Sequence, residues 1–415
     1  MTDVSHAWYL GWAKFPTDVQ GDYTLAPRKL FRLRPNLCHP GRTPAATGHS
    51  ACSVAMGCGT SKPSLVMSGS SEGVCTIKGT KGQTISCDFA AATLPQKKDQ
   101  DRFGLKFAAN GLSVGIFDGH SLSHQIKAGR DAAEDAGRHM IETVWSRSKA
   151  LLARMESNAA SPEVTKEMEA VFTAFQERRM AKYKKDVLDA LLAEKAKLEK
   201  EAGLDEGEEL PFEAPQDGGT TATVLVVHEG GVLATWVGDS RAVVGVQEEG
   251  GELRAEALTV DHSAEDEAEL ARLTEAGGST AAKGDDAGKL SKMVCVPGAE
   301  GTLAVTRSLG DSPHHKNNIV THMPSVAHRP LTPSVKFIVA CSDGVWDVLD
   351  NAAVVKLVGD HLKSFTGGAM QNAATGACAA VVEEVKAKSP TVGVPDDDVS
   401  VVVVVLRVIA APAGI

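Results

Sequence analysis

The chain has 415 residues, 43% hydrophobic and 23% charged, with 53 acidic against 43 basic side chains and a formal net charge of −10. Such a balance describes an ordinary globular chain, long enough for one large domain or two of medium size, and argues against nucleic acid as a general partner. No apolar run reaches membrane-spanning length, the first residues lack the apolar core of a secretory signal, and the eight cysteines are scattered without metal-ligand spacing, so a reduced, cytoplasmic protein is expected.

Residues 1–55 hold Trp8, Trp12, Arg28, Arg32 and Arg34 among prolines and glycines with no sustained period. They read as a poorly ordered N-terminal extension or as sequence absent from the mature protein. Residues 56–84 are rich in Gly, Ser and Thr and read as a flexible lead-in. Inside them, Met56-Gly57-Cys58-Gly59-Thr60-Ser61-Lys62 fits the N-myristoylation pattern if Met56 is an authentic start, with Cys58 open to palmitoylation. One acyl chain binds membranes marginally and two bind stably, so that start would give peripheral membrane attachment. Read as an internal segment, the motif is inert.

Order is expected from Cys87-Asp88-Phe89 onward, with one domain over residues 85–408. Val114-Gly115-Ile116-Phe117 is an apolar run of β type that ends in Asp118-Gly119-His120. Gly119 allows an immediate turn and leaves a carboxylate beside an imidazole at a sheet end. Residues 126–145 read as a helix. Ser161 caps another, with Pro162 in its first turn and Val164, Met168, Val171, Phe172 and Phe175 on one face. The Lys-, Glu- and Ala-rich residues 177–209 read as a solvated helical extension. Residues 222–227 and 232–237 form a hairpin around His228-Glu229-Gly230-Gly231, its second strand ending in Gly238-Asp239-Ser240-Arg241. Ser263 is expected to cap a helix that stops at Gly277-Gly278, and residues 280–301 to be a mobile surface segment. Residues 335–341 form a strand running into Ser342-Asp343-Gly344, with Asp347 four residues on. Helices over 354–362 and 373–388 precede Asp396-Asp397-Asp398 and a closing strand over 399–406. No helix separates successive strands regularly, which favours antiparallel sheets packed together with helices outside.

Four apolar strands therefore carry carboxylates at one end. Gathered in one place, such groups repel and raise one another's pKa unless a cation neutralises them. Oxygen-only donors point to a hard ion, Mg²⁺ or Mn²⁺, in preference to Zn²⁺.

Taken together, these stretches resemble the metal-dependent Ser/Thr protein phosphatases of the protein phosphatase 2C (PPM) type. The matching pieces stand in that family's order: Gln100-Asp101, Phe117-Asp118-Gly119-His120, Gly218-Gly219-Thr220-Thr221-Ala222 and Val237-Gly238-Asp239-Ser240-Arg241-Ala242. Leu258-Thr259-Val260-Asp261-His262, Leu303-Ala304-Val305-Thr306-Arg307-Ser308-Leu309-Gly310-Asp311, Ser342-Asp343-Gly344-Val345-Trp346-Asp347-Val348 and Asp397-Asp398-Val399-Ser400-Val401 follow. The resemblance implies an α+β fold, a sandwich of two antiparallel β-sheets flanked by α-helices on both outer faces. It implies a phosphatase domain acting on phosphoserine and phosphothreonine in proteins, with two metal ions per active site. Asp118, the Gly119 carbonyl, Asp343 and Asp397 would hold those ions, and Asp101 would orient a bound water. Asp239 and Asp347 would add a third, weaker site with Asp343, and His120 would protonate the leaving oxygen.

Four positions depart from the family pattern. Where an arginine contacts phosphate, this chain offers Gln96, Lys97 and Lys98, and Lys98 is taken as the phosphate-binding group. Gln100 replaces a glutamate, Ser121-Leu122 replaces a glycine pair, and Asp398 replaces an asparagine. Residues 280–301 match the variable flap beside the active site, where substrate choice would lie. The competing readings are a catalytically silent member of the fold that binds a phosphoprotein or regulator, and a hydrolase of small phosphorylated molecules. A monomer is the default state.

Overall fold

The computed structural model describes residues 65–409 apart from 68–69, 79–83, 97, 109–110, 123–125, 153–160, 203–216, 285–289, 365–371 and 393–396. The expected N-terminal extension, the acylation motif at residues 56–62, and the helical extension beyond Ala202 lie outside the described residues.

Among the described residues, two six-stranded antiparallel sheets pack face to face. The first runs β1 (Leu65–Met67), β4 (Arg102–Ala108), β5 (Gly111–Phe117), β8 (Ala222–His228), β9 (Gly231–Val237) and β15 (Ser325–Pro330). The second runs β11 (Arg254–Ala257), β10 (Arg241–Val246), β16 (Val335–Cys341), β17 (Val399–Ile409), β3 (Thr84–Leu94) and β2 (Ser70–Lys78). A small sheet joins β14 (Leu309–Gly310), β7 (Gly219–Thr220) and β6 (Gly119–His120), and an exposed ribbon pairs β12 (Ser279–Gly284) with β13 (Leu290–Cys295). Helices α1 (Ile126–Leu152) and α2 (Pro162–Tyr183) lie outside the first sheet, and α6 (Asn351–Ser364) and α7 (Ala373–Val392) outside the second. The expected four-layer sandwich is what forms.

The central strands read as unbroken apolar runs because both of their faces are covered. Along β8, Leu225 and Val227 point into the core between the sheets, while Val224 and Val226 pack under α1 and α2. Along β17, Val402, Val404 and Leu406 face the inter-sheet core, and Val401, Val403 and Val405 face α6 and α7. Each such valine stabilises the fold by roughly 1.5–3 kcal/mol through burial alone. Ser161 caps α2 as expected, its hydroxyl accepting from Val164 N, and all five residues of the expected apolar face are buried. A π-helical turn (Lys184–Leu188) then leads into α3 (Asp189–Ala202), whose side chains are largely exposed.

Three expectations need correction. Residues 56–84 are not a flexible lead-in throughout: β1 pairs with β4, and β2 pairs with β3 along its whole length. Cys75 and Ile77 alternate with more exposed neighbours and enter the inter-sheet core, so the Gly/Ser/Thr composition hid a period-2 pattern. Helix α4 (Glu267–Glu275) is capped by Asp266, which accepts from Ala268 N and Glu269 N, three residues later than the expected Ser263. Much of the segment over 280–301 is the β12–β13 ribbon, anchored by Val294 in a satellite core. No helix among the described residues is long and apolar enough to cross a membrane.

Candidate active site

Both sheets deliver carboxylates to the same end of the sandwich. Asp101 precedes β4 and Asp118 follows β5, adjacent strands whose register pairs Arg102 with Phe117. Asp343 opens the short helix α5 (Asp343–Trp346) after β16, and Asp397 stands two residues before β17, with Cys341 paired to Val401. Asp118 is fixed by a reciprocal clamp. Its N–H donates to Thr221 Oγ1 at 3.0 Å, and Thr221 N donates to its carbonyl at 2.8 Å. Next to it, Gly119 packs so closely on α1 that a Cβ would lie 2.4 Å from the Gly129 carbonyl oxygen.

The carboxylates crowd one another. Burial, then Asp101, Asp343, Asp397 and Asp239, push the Asp118 carboxyl well above its ordinary range. Asp343 is raised likewise by burial, Asp239 and Asp397. Asp101 rises to about 7 through burial and the charge of Asp398, against hydrogen bonds from Ser342 and Ser400. Asp239 rises to about 6 through burial and Asp261. Oδ2 of Asp101 is buried without a hydrogen-bond partner. Among the described residues no three Asp, Glu, His or Cys side chains form a ready-closed coordination shell. The fit to hard divalent ions rests instead on charge: several oxygen donors sit too close to ionise together without a counter-cation, and one buried oxygen lacks a donor.

Lys98 reaches into this cluster, its Nζ 3.3 Å from Asp397 Oδ2. Burial opposes its charge, yet Asp397, Asp118 and Asp343 outweigh that and raise its pKa. The turn that carries Lys98 is held from two directions. Asp398, 2% exposed, accepts from the main-chain N–H groups of Gln96, Gln100 and Asp101. Arg130 on α1 donates to the carbonyls of Lys98 and Asp99 and pairs with the Asp99 carboxylate at 3.0 Å. Asp239 lies beyond Asp343, between β9 and β10. Arg241 beside it forks onto Asp261, donates to Asn351 and covers the Trp346 ring at 5.1 Å, which binds α5 and Asp347 to β10.

His120 is about a quarter exposed and meets a partner that the sequence reading left without a role. Its Nε2 stands 2.6 Å from Oδ2 of Asp311, a residue with no exposed surface. Burial alone would lower the imidazole pKa; the charge and hydrogen bond of Asp311 outweigh it, and the net shift is upward. Asp311 itself is held down at about 2, because His120 and the Ser308 hydroxyl overcome the penalty of burial. The structure thus brings Asp101, Asp118, Gly119, His120, Asp239, Asp343, Asp347, Asp397 and Lys98 to one end of the sandwich. It adds Asp311, Asp398 and Arg130, which sequence reasoning did not single out as working groups.

Comparison with known proteins finds phosphatases. A family model, Protein phosphatase 2C, matches residues 135–389. Probable protein phosphatase 2C 12 of Oryza sativa subsp. japonica is 35% identical over 179 residues, covering 43% of this chain and 44% of that protein. Protein phosphatase 2C homolog 2 of Aspergillus fumigatus is 33% identical over 147 residues, 34% of this chain and 30% of that one. The matched region thus spans less than half the length of these curated relatives. Among solved structures, the serine-threonine phosphatase 2C of Toxoplasma gondii shares the fold, with a TM-score of 0.52 at 20% identity over 82% of this chain and all of that one. With the family model matching more than half of its length, this chain belongs to the protein phosphatase 2C family.

Proposed function

We propose that the chain is a metal-dependent protein serine/threonine phosphatase, hydrolysing phosphoserine and phosphothreonine in protein substrates. The observation that carries this reading is the convergence of Asp101, Asp118, Asp343 and Asp397 with His120 at one end of the sandwich. Asp118, the Gly119 carbonyl, Asp343 and Asp397 would hold two Mg²⁺ or Mn²⁺ ions, and Asp239 and Asp347, with Asp343, a third and weaker one. Bound there, the ions supply a nucleophilic water at neutral pH and neutralise phosphoryl charge. Asp101, whose buried Oδ2 has no hydrogen-bond partner in the structure, would orient that water. Lys98 holds the phosphate as a point charge, since a lysine cannot grip it bidentately. His120 gives the leaving seryl or threonyl oxygen its proton, a service worth roughly 10²–10⁴ in rate.

The test is phosphate release from a phosphothreonine peptide with Mg²⁺ or Mn²⁺, beside nucleotides and an EDTA control. Turnover of the peptide alone, abolished by EDTA, is expected. Metal-independent release, or a preference for nucleotides, would remove the reading, and inertness toward both would favour a silent binding protein. We also propose that the protein is monomeric, and that initiation at Met56 yields a form acylated on Gly57 and Cys58 that binds membranes peripherally. N-terminal mass spectrometry of native protein decides the second point: peptides from residues 1–55, or an unmodified Gly57, would sink it.

A further inference from the structure

We infer that Asp311 is the positioning residue for the proton donor: its Oδ2 accepts a hydrogen bond from Nε2–H of His120 and thereby assigns Nδ1 to supply the transferred proton. The inference rests on the phosphatase reading and deepens it.

The small sheet explains how two residues 191 positions apart come to meet. In its register Gly219 faces His120 on one side and Gly310 on the other. The chain leaves Gly310 through Asp311, whose backbone is left-handed at φ 45° and ψ 41°. Asparagine and aspartate tolerate that conformation better than other side-chain-bearing residues. The bend folds the Asp311 carboxylate back over Gly219 onto the imidazole. Only glycine permits that path, since a Cβ on Gly219 would stand 1.9 Å from Asp311 Oδ2.

Each neighbour of Asp311 is pinned. On α2, the Gln176 amide accepts from Gly310 N and donates to Gly310 O, both at 2.8 Å. Asp217 accepts from the N–H and the hydroxyl of Ser312, at 2.7 and 2.8 Å. Ser308 Oγ donates to the same Asp311 oxygen that faces His120, at 2.7 Å. A carboxylate bonded by Ser308 and carried on a backbone pinned on both sides fixes the ring plane and its tautomer, as buried partners of functional histidines do.

The proton balance follows. A water oxygen forms its bond to phosphorus while the bond from phosphorus to the seryl or threonyl oxygen breaks, its electron pair staying on that oxygen; the water's two hydrogens stay on the released phosphate, which gives one up to solvent. The oxygen takes the proton from Nδ1 of the imidazolium. His120 is left neutral, with hydrogen on Nε2 and still donating to Asp311, ready to be reprotonated at Nδ1.

The experiment compares full-length wild type with Asp311→Asn, Gly219→Ala, His120→Ala and the His120→Ala/Asp311→Asn double variant, all with saturating Mn²⁺. Each is assayed on a phosphothreonine peptide and on aryl phosphates whose phenols span a range of acidity. Asparagine keeps the backbone bend and the size of the side chain but not the charge. Asp311→Asn is expected to lower peptide kcat on the order of 10- to 100-fold, a part of what a general acid supplies, and to change p-nitrophenyl phosphate turnover by about twofold at most. The plot of log kcat against phenol pKa should steepen, since the poorer leaving groups lose their proton donor. Manganese affinity by calorimetry should stay at the wild-type value. The double variant should be no worse than His120→Ala alone, because the two residues act as one unit. Gly219→Ala keeps both side chains yet separates them, and should show the same selectivity for the peptide. Equal losses on peptide and p-nitrophenyl phosphate, additive losses in the double variant, or an unchanged peptide rate in both Asp311→Asn and Gly219→Ala would overturn the role of Asp311 alone. A wild type inert toward every substrate would overturn the phosphatase reading itself.

Discussion

At Asp398 one buried carboxylate accepts from three main-chain N–H groups, and so shapes the turn that presents Lys98 and Asp101. The asparagine that the family pattern places here offers only one acceptor oxygen, so this departure is a difference in how the turn is held. Removing all acceptors leaves three donors unmet, at about 1–3 kcal/mol for each that stays buried. Asp398→Ala should therefore lose more stability in urea denaturation than Asp398→Asn, and an equal loss would mean that the turn rearranges to find other partners. Asp343 lives under a different constraint, since it is raised by Asp239 and Asp397 and would bind metal directly. Asp343→Asn should abolish turnover and weaken tight metal binding by more than the 10–100-fold typical of losing a ligand's outer partner. Asp239→Ala, touching only the weaker site, should leave the tight calorimetric step in place; losing that step would contradict the ranking. The carboxylates proposed as ligands were legible because each stands at one end of an apolar strand. Asp311 was not, because its partner lies across an intervening strand, β7, and its bend depends on a glycine elsewhere.

The elements that reported themselves in sequence were those buried on both faces. The β8–β9 hairpin, β16, β17 and the capped helix α2 are continuous or regularly spaced apolar runs, and they stand where expected. What escaped notice was polar on one side. β2 alternates buried Cys75 and Ile77 with polar or exposed residues at a sheet edge, and the β12–β13 ribbon buries little beyond Val294. That ribbon contributes correspondingly little to stability, and its place in the chain matches the flap of the family pattern. Its register pairs Ala282 with Lys292, so replacing residues 283–291 by Asn-Gly closes a shorter hairpin on the same pair. Trimming such exposed residues should change stability by about 0.5 kcal/mol or less, a shift of about 1–2 °C in Tm. If the flap selects substrates, KM for phosphopeptides should change while p-nitrophenyl phosphate kinetics do not. A matching change in both substrates would assign the ribbon to the general architecture of the site.

Across the whole molecule, burial holds a set of histidines neutral, and this sets the response to acid. His228, His262 and His315, exposed by 3%, 4% and 8%, are each lowered to about 3, in every case chiefly by burial. Unfolded histidine takes up a proton near 6.5, so below that pH the unfolded chain binds protons that the folded chain refuses. Their contribution is complete above about pH 6.5 and declines as pH falls toward 3. Asp217 works the other way, because burial raises it to about 6 and the unfolded chain releases its proton first. Its penalty grows as pH rises from about 4 to 6, cancelling roughly one histidine over that interval. From these four groups the net is about two protons, or roughly 3 kcal/mol per pH unit, large beside a total stability of about 5–15 kcal/mol. Saturating Mg²⁺ should keep the carboxylates proposed as ligands ionised, and its own weakening in acid adds to the same slope. Urea midpoints with Mg²⁺ should therefore be level above about pH 6.5 and fall steeply below it. His228 lies at the turn between β8 and β9, stacked on His328 and accepting from Gly230 N, away from the ligand carboxylates. Its replacement by glutamine should reduce the slope by about one proton, roughly 1.4 kcal/mol per pH unit. An unchanged slope in His228→Gln would mean that the buried imidazoles take up protons in the folded state, and that acid sensitivity arises from the carboxylates alone.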